Sequence, residues 1–179
     1  MVRRAYSGER EARESEGVIR MDKPREELIT INSGDNEQPF RWAAGVYGSK
    51  FLTGMRDEKQ LYGIKCPNCG KVYVPPRRVC GPCYTEMTEL VPVSDEGVIT
   101  TYTIVSFGFV DPATGTERPV PYTYGAVRLD GADNDMLHFI DETDPEKIKV
   151  GDRVKVVFEE DGKRTGDLLD IKYFEIVNG

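Results

Sequence analysis

Every cysteine of this chain lies between residues 66 and 83. Cys66-Pro-Asn-Cys69 and Cys80-Gly-Pro-Cys83 are two C-x-x-C pairs with ten residues between them. A C-x-x-C closes a tight knuckle that presents two sulfurs, and a hairpin that brings a second knuckle alongside completes a tetrahedral four-thiolate site. Gly70 follows the first knuckle, where a positive φ is cheap only for glycine. Residues 71–74 read as a strand, Pro75-Pro76 as a turn and 77–79 as a return strand. The expected product is a rubredoxin-like zinc ribbon in which Cys66, Cys69, Cys80 and Cys83 hold a structural Zn²⁺. Iron also accepts four thiolates, so an iron-containing, rubredoxin-like electron carrier is an alternative. Tyr84 stands where an iron knuckle usually has glycine, which weighs toward zinc.

A closed four-cysteine site has no open coordination position and is structural rather than catalytic. Four thiolates on Zn²⁺ leave two formal negative charges, and Lys65, Lys71, Arg77 and Arg78 surround them in sequence. These cations either screen the cluster or make a small basic patch for an anionic ligand. The second role would stand out, because the 179-residue chain carries a net charge of −7. That balance makes it a poor candidate for binding nucleic acid by phosphate neutralisation. No apolar run reaches the roughly 20 residues that span a bilayer. The first residues start basic with no apolar stretch behind them, unlike a secretory signal. The expectation is a cytoplasmic protein, where clustered C-x-x-C pairs bind metal rather than form disulfides.

Around the cysteines the chain divides into four expected segments. Residues 1–38 form a polar arm in which only 28–31 resemble a strand. Residues 39–62 form a helical docking segment in which Ala43, Tyr47, Phe51 and Met55 recur every four residues beside Trp42. Trp42, Tyr47, Phe51 and Met55 then either pack on the chain's own domain or offer an aromatic face to another chain. Residues 63–92 form the zinc ribbon. Residues 93–179 hold five β-branched, alternating strands with one short helical piece between the third and fourth, the plan of a five-stranded OB-fold barrel. The fold class is therefore mainly β: arm and helix, zinc ribbon, then barrel.

With its thiols committed to metal, the chain keeps little reactive chemistry. Its single histidine, His138, falls inside a strand, where packing or hydrogen bonding is the ordinary role. The carboxylate runs 141–142 and 159–161 sit in charged turns. No phosphate-binding glycine loop is visible. Tyr102, Phe107, Tyr122 and Tyr124 have the composition of a base-stacking OB surface, so a single-stranded nucleic-acid-binding module is a second alternative. On its own residues the chain reads as a binding or assembly module with no catalytic residue.

The order helix, zinc ribbon, barrel resembles the acyl-CoA-associated zinc-ribbon/OB-fold family, a domain of unknown function that accompanies thiolases. The matching text is Lys65-Cys-Pro-Asn-Cys-Gly-Lys71, Val74-Pro-Pro-Arg-Arg-Val-Cys80, Gly97-Val-Ile-Thr-Thr-Tyr-Thr103, Pro121-Tyr-Thr-Tyr-Gly-Ala-Val127 and Val150-Gly-Asp-Arg-Val-Lys155, over roughly residues 40–177. The resemblance implies a non-catalytic subunit of a hetero-oligomer with a thiolase-family enzyme. The complex would act on a coenzyme A thioester, by thiolytic cleavage of a β-keto acyl-CoA. It also implies that helix and ribbon dock on the partner while the barrel packs near the active-site mouth. Arg77 and Arg78 are then the expected CoA-binding cations, with Arg118 a further cation to test against phosphate or carboxylate.

Overall fold

The computed structural model describes residues 29–32, 41–110 and 115–177. Two short strands, β1 (Thr30–Asn32) and β2 (Arg41–Ala43), pair antiparallel ahead of helix α1 (Gly45–Thr53). The helical periodicity therefore begins too early: residues 41–43 are extended, and Gly45, at a φ of +74°, turns the chain into the helix. Past Thr53 the helix widens into a π-type turn over Gly54–Glu58 and stops at Lys59, whose φ is +53°. Ile29 ties the arm to this unit. Its N–H donates to Ser49 Oγ at 3.1 Å, its carbonyl accepts from Ala44 N at 3.2 Å, and its side chain lies against Gly166. Residues 1–28 lie outside the described residues, and with them most of the arm.

A three-stranded sheet follows, ordered β4-β3-β5, from β3 (Leu61–Lys65), β4 (Val72–Tyr73) and β5 (Glu89–Val93). It differs from the expected hairpin. Residues 77–79 do not return along 71–74; β4 pairs instead with β3, and Val79 bridges Glu86. Each knuckle thus sits at the tip of its own small hairpin. The two prolines explain the change: neither can donate a ladder hydrogen bond, so the strand ends before them.

The second half is a closed barrel of five strands: β6 (Glu96–Val105), β7 (Tyr122–Leu129), β8 (Met136–Ile140), β9 (Arg153–Phe158) and β10 (Ile171–Ile176). The cyclic order is β6-β7-β8-β10-β9, with β8 and β10 parallel and every other pair antiparallel. That is the OB-fold topology expected from the sequence. The helical piece expected between β8 and β9 is a series of turns instead, begun by Asp144 and Glu142 carboxylates that accept backbone N–H groups of residues 143, 144 and 146. Such local side-chain bonds compete with helix formation.

One apolar cluster runs through both halves. It joins Phe51, Leu52, Met55, Leu61 and Val74 to Ile99, Val127, Leu129, Ile148 and Phe174 of the barrel. Burying each such side chain contributes about 1.5–3 kcal/mol, which favours helix, sheet and barrel holding one arrangement. The β7–β8 turn adds polar contacts. Asp133 and Asn134 bond the outward-facing peptide groups of the ribbon strand: Val72 N to Asp133 Oδ2 at 2.8 Å, Asp133 N to Val72 O at 2.8 Å, Val74 N to Asn134 Oδ1 at 2.8 Å, and Asn134 Nδ2 to Val74 O at 2.7 Å.

Candidate metal centre and ligand clefts

The four cysteine sulfurs all lie within 4.8 Å of one another. A tetrahedral zinc with Zn–S bonds of about 2.3 Å sets its sulfurs roughly 3.8 Å apart, and the Cys69–Cys80 separation is 3.7 Å. The donor set and its spacing fit a structural zinc. Both knuckles are wound alike: Gly70 N donates to Cys66 O at 3.0 Å and Tyr84 N to Cys80 O at 2.8 Å, while Cys66 N and Cys80 N bond Lys71 O and Thr85 O. Cys66 and Cys80 are fully buried, with Ile64, Tyr73 and Met87 around them. Tyr73 Oη lies 3.4 Å from Cys80 Sγ, and this contact draws that thiol down to about 6. The neighbouring Cys69 sulfur pushes Cys83 the other way, up to about 12. Thiolates packed this closely oppose one another's ionisation, and a divalent cation removes the conflict.

Arg77 and Arg78 fall at the rim of this centre. The Arg77 guanidinium lies 3.7 Å from the centroid of the Tyr73 ring, and Arg78 pairs with Glu86 at 2.9 Å. Together with Pro76, Glu86 and residues 44–48 they line a cleft of about 610 Å³. Its far wall is the first turn of α1, whose N-cap residue Ala44 supplies no side-chain hydrogen bond. The cleft thus sets Arg77 and the Arg78–Glu86 ion pair beside the first turn of α1, whose positive dipole end favours anions.

The four residues considered for a partner face separate. Phe51 and Met55 are 2% and 0% exposed and belong to the chain's own core, because the inward face of α1 packs on the sheet and barrel. Tyr47 is half-buried beside the metal cluster and lines the Arg77–Arg78 cleft. Trp42 pairs through its backbone with Ile31, and its side chain lies outside what is described. Val46, in the first turn of the helix, is exposed.

His138 is buried in the barrel, and its Nε2–H donates to Ile171 O at 2.6 Å. Burial holds its pKa below the ordinary 6.5. It is a satisfied core histidine with no access to a substrate.

The aromatic residues considered for stacking also divide. Tyr102 donates its hydroxyl to Ile148 O at 3.0 Å and packs on the core. Phe107, Tyr122 and Tyr124 converge on a second cleft, of about 450 Å³, together with Phe109, Phe139 and Arg118. Phe139 is not among the residues expected from the sequence, although alternation along β8 places it opposite Tyr124 in the register. Asp133 and Asn134 are also absent from the sequence expectations, since a short polar turn carries no mark of a distant partner.

The fold is a ribbon whose four thiols gather on one point, fused to a closed OB barrel that buries the single histidine. Residues 54–86 match the family model described as ChsH2, rubredoxin-like zinc ribbon domain. Residues 90–159 match the model of the ChsH2 C-terminal OB-fold domain. A DUF35 domain-containing scaffold protein of Methanocaldococcus jannaschii is 33% identical over 107 residues, 57% of this chain and 72% of that protein. Another, of Methanothermobacter thermautotrophicus, is 30% identical over 99 residues, covering 55% and 71% of the two chains. Among solved structures, a DUF35-family protein of unknown function from Sulfolobus solfataricus superposes with a TM-score of 0.54 at 21% identity, over 74% of this chain and 87% of that one. The Ltp2-ChsH2(DUF35) aldolase gives a TM-score of 0.51 at 18% identity, over 72% and 93%. This chain belongs to the DUF35 family of zinc-ribbon/OB-fold proteins. Among its described residues, no helix is long and apolar enough to cross a membrane.

Proposed function

We propose that this chain is a non-catalytic subunit of a cytoplasmic thiolase-family complex, where it helps assemble the enzyme and hold a coenzyme A thioester. The observation that carries the reading is the fate of its nucleophiles. All four cysteines point at one metal-sized space and the single histidine is bonded inside the barrel. Thiolytic cleavage of a β-keto acyl-CoA needs a cysteine to take the acyl group and an acid/base partner to move protons. Those groups then belong to another polypeptide. The pairing of a ChsH2-type DUF35 chain with the aldolase Ltp2 in a related structure supports an enzyme partner of this kind.

In this reading Arg77, Arg78 and the first turn of α1 take the phosphates of CoA in the 610 Å³ cleft. The finer version gives the complex an aromatic dicarboxylic acyl group, after a resemblance of the arm and the 40–55 segment to the small subunit of benzoylsuccinyl-CoA thiolase. The test is purification from the native host. A thiolase-family protein should co-elute, the isolated chain should turn over no acyl-CoA, and mixing the two should restore activity. Full turnover by the isolated chain would overturn the proposal. Calorimetric titration with CoA, repeated on Arg77→Ala and Arg78→Ala, tests the cleft: each variant should bind about tenfold more weakly, the loss of roughly 1.4 kcal/mol of charge-assisted contact.

A further inference from the structure

We propose that Tyr73 is a positioning residue of the metal centre: in the metal-loaded protein its hydroxyl donates a hydrogen bond to the Cys80 thiolate and strengthens the grip on the ion. The inference rests on the metal centre alone and is independent of the coenzyme A reading.

The two residues come from different hairpins. Tyr73 lies on β4 opposite Ile64 of β3, in the hairpin whose tip is the first knuckle. Cys80 opens the second knuckle, inside the hairpin closed by the Val79–Glu86 bridge. Tyr73 Oη reaches across to Cys80 Sγ at 3.4 Å, so the contact joins one hairpin to a ligand on the other. Both residues are buried, at 5% and 0% exposure, beside Ile64 and Met87, with Leu90 packed against them. A hydrogen bond in such apolar surroundings is stronger than one in water. The Arg77 guanidinium lies over the same ring, 3.7 Å from its centroid. A positive charge there favours the ionised phenol, which makes the hydroxyl a better donor.

Metal binding decides which partner donates. A free thiol and a tyrosine hydroxyl can each donate to the other. A metal-bound cysteine sulfur has lost its proton, so only the hydroxyl can donate. The gain therefore falls on the loaded state, where four thiolates around a divalent ion keep two formal negative charges. An O–H aimed at one of them is a charge-assisted bond that spreads this charge and fixes the ligand's orientation. A tyrosine that served packing alone would do as well without its oxygen. Here the oxygen meets a ligand sulfur, and Tyr73 acts on the metal through Cys80.

The test variant is Tyr73→Phe, which keeps the ring and removes only the oxygen. Zinc affinity of the full chain, measured by competition with a chelator, should fall at least about tenfold. Cobalt(II) in place of zinc reads the bond itself. Without the donor the sulfur lone pair rises in energy, so the thiolate-to-cobalt charge-transfer band should move to longer wavelength. Loss of packing alone would leave that band in place. Tyr62→Phe is the control: it removes a hydroxyl of the same sheet that is bonded to Glu58 at 2.7 Å, and it should change neither reading. Equal zinc affinity of parent and Tyr73→Phe, or an unmoved band, would overturn the proposal. If the variant folds poorly, the unmodified chain loaded with NMR-active cadmium decides. Its Tyr73 hydroxyl proton should be protected from water and show scalar coupling to the metal through the sulfur. A hydroxyl proton that exchanges as fast as that of an exposed tyrosine would overturn the proposal as well.

Discussion

Tyr84 holds the same left-handed backbone as Gly70: each stands one residue past a C-x-x-C knuckle, with φ of +53° and +75°. Glycine takes that conformation freely, whereas a side chain costs roughly 1–2 kcal/mol there. The tyrosine side chain recovers little of this, since it is 86% exposed. Tyr84→Gly should therefore stabilise the zinc-loaded protein. Against the relieved strain stands the greater freedom of glycine in the unfolded chain, which leaves a gain of about 0.5–1 kcal/mol. Urea denaturation of the two proteins checks it, and a lower midpoint for the variant would refute it.

Cys80→Ser should remove the metal and unfold the ribbon. Cys80 is fully buried and lies at the centre of the smaller apolar cluster, so its loss takes a ligand and a packing contact together. Zinc bound by modules of this kind contributes about 10–16 kcal/mol of apparent folding free energy. Elemental analysis should give one zinc per chain in the parent and none in the variant. A chelator strong enough to strip the parent should reproduce the variant's spectrum.

His138 makes stability depend on acidity. Desolvation holds its pKa below the ordinary 6.5, only partly offset by carbonyls of Ile171 and Leu168, and the charge of Arg118 lowers it further. In acid the unfolded chain takes up this proton before the folded one does, so stability rises with pH across that window. The contribution is complete above 6.5 and is lost as pH falls through 6.5 toward the depressed folded value. His138→Gln keeps a donor for Ile171 O but does not titrate. Between neutrality and about pH 5.5 the parent should lose denaturation midpoint faster than the variant. Parallel slopes would exclude the histidine as the cause.

Asn134→Ala should loosen the ribbon from the barrel. The change strips partners from both peptide groups of Val74, a residue with no exposed surface. A buried polar group left unpaired costs about 1–3 kcal/mol, so the variant should lose about 2–4 kcal/mol. Hydrogen exchange should quicken at Val74 before it does at the strands of the barrel. Unchanged exchange at that amide would show that the clamp is dispensable.

The elements that could be read from the sequence are those whose cause is local. The metal ligands were legible because thiolate chemistry and spacing leave few alternatives. The barrel was legible because each of its five strands carries its own alternation. The β4 pairing was not, because the partner of Val72 and Tyr73 lies upstream in 61–65, and nothing near the prolines announces it. Phe51 and Met55 follow a helical period that marks a buried face without saying what buries it. The Arg118 cleft is harder still. Its residues come from β6, β7, β8 and the segment joining β6 to β7, and only the pairing of these strands in the barrel brings them together.

The clamp made by Asp133 and Asn134 has a consequence for how the molecule meets others. A strand at the margin of a sheet normally offers unspent peptide groups, a template onto which a foreign chain can add itself. Along β4 and just past it, the outward N–H and C=O of Val72 and Val74 are already consumed by a turn that imitates a neighbouring strand. That margin is blunted against strand addition and against the aggregation that begins in the same way. Recognition on that flank must be written in side chains.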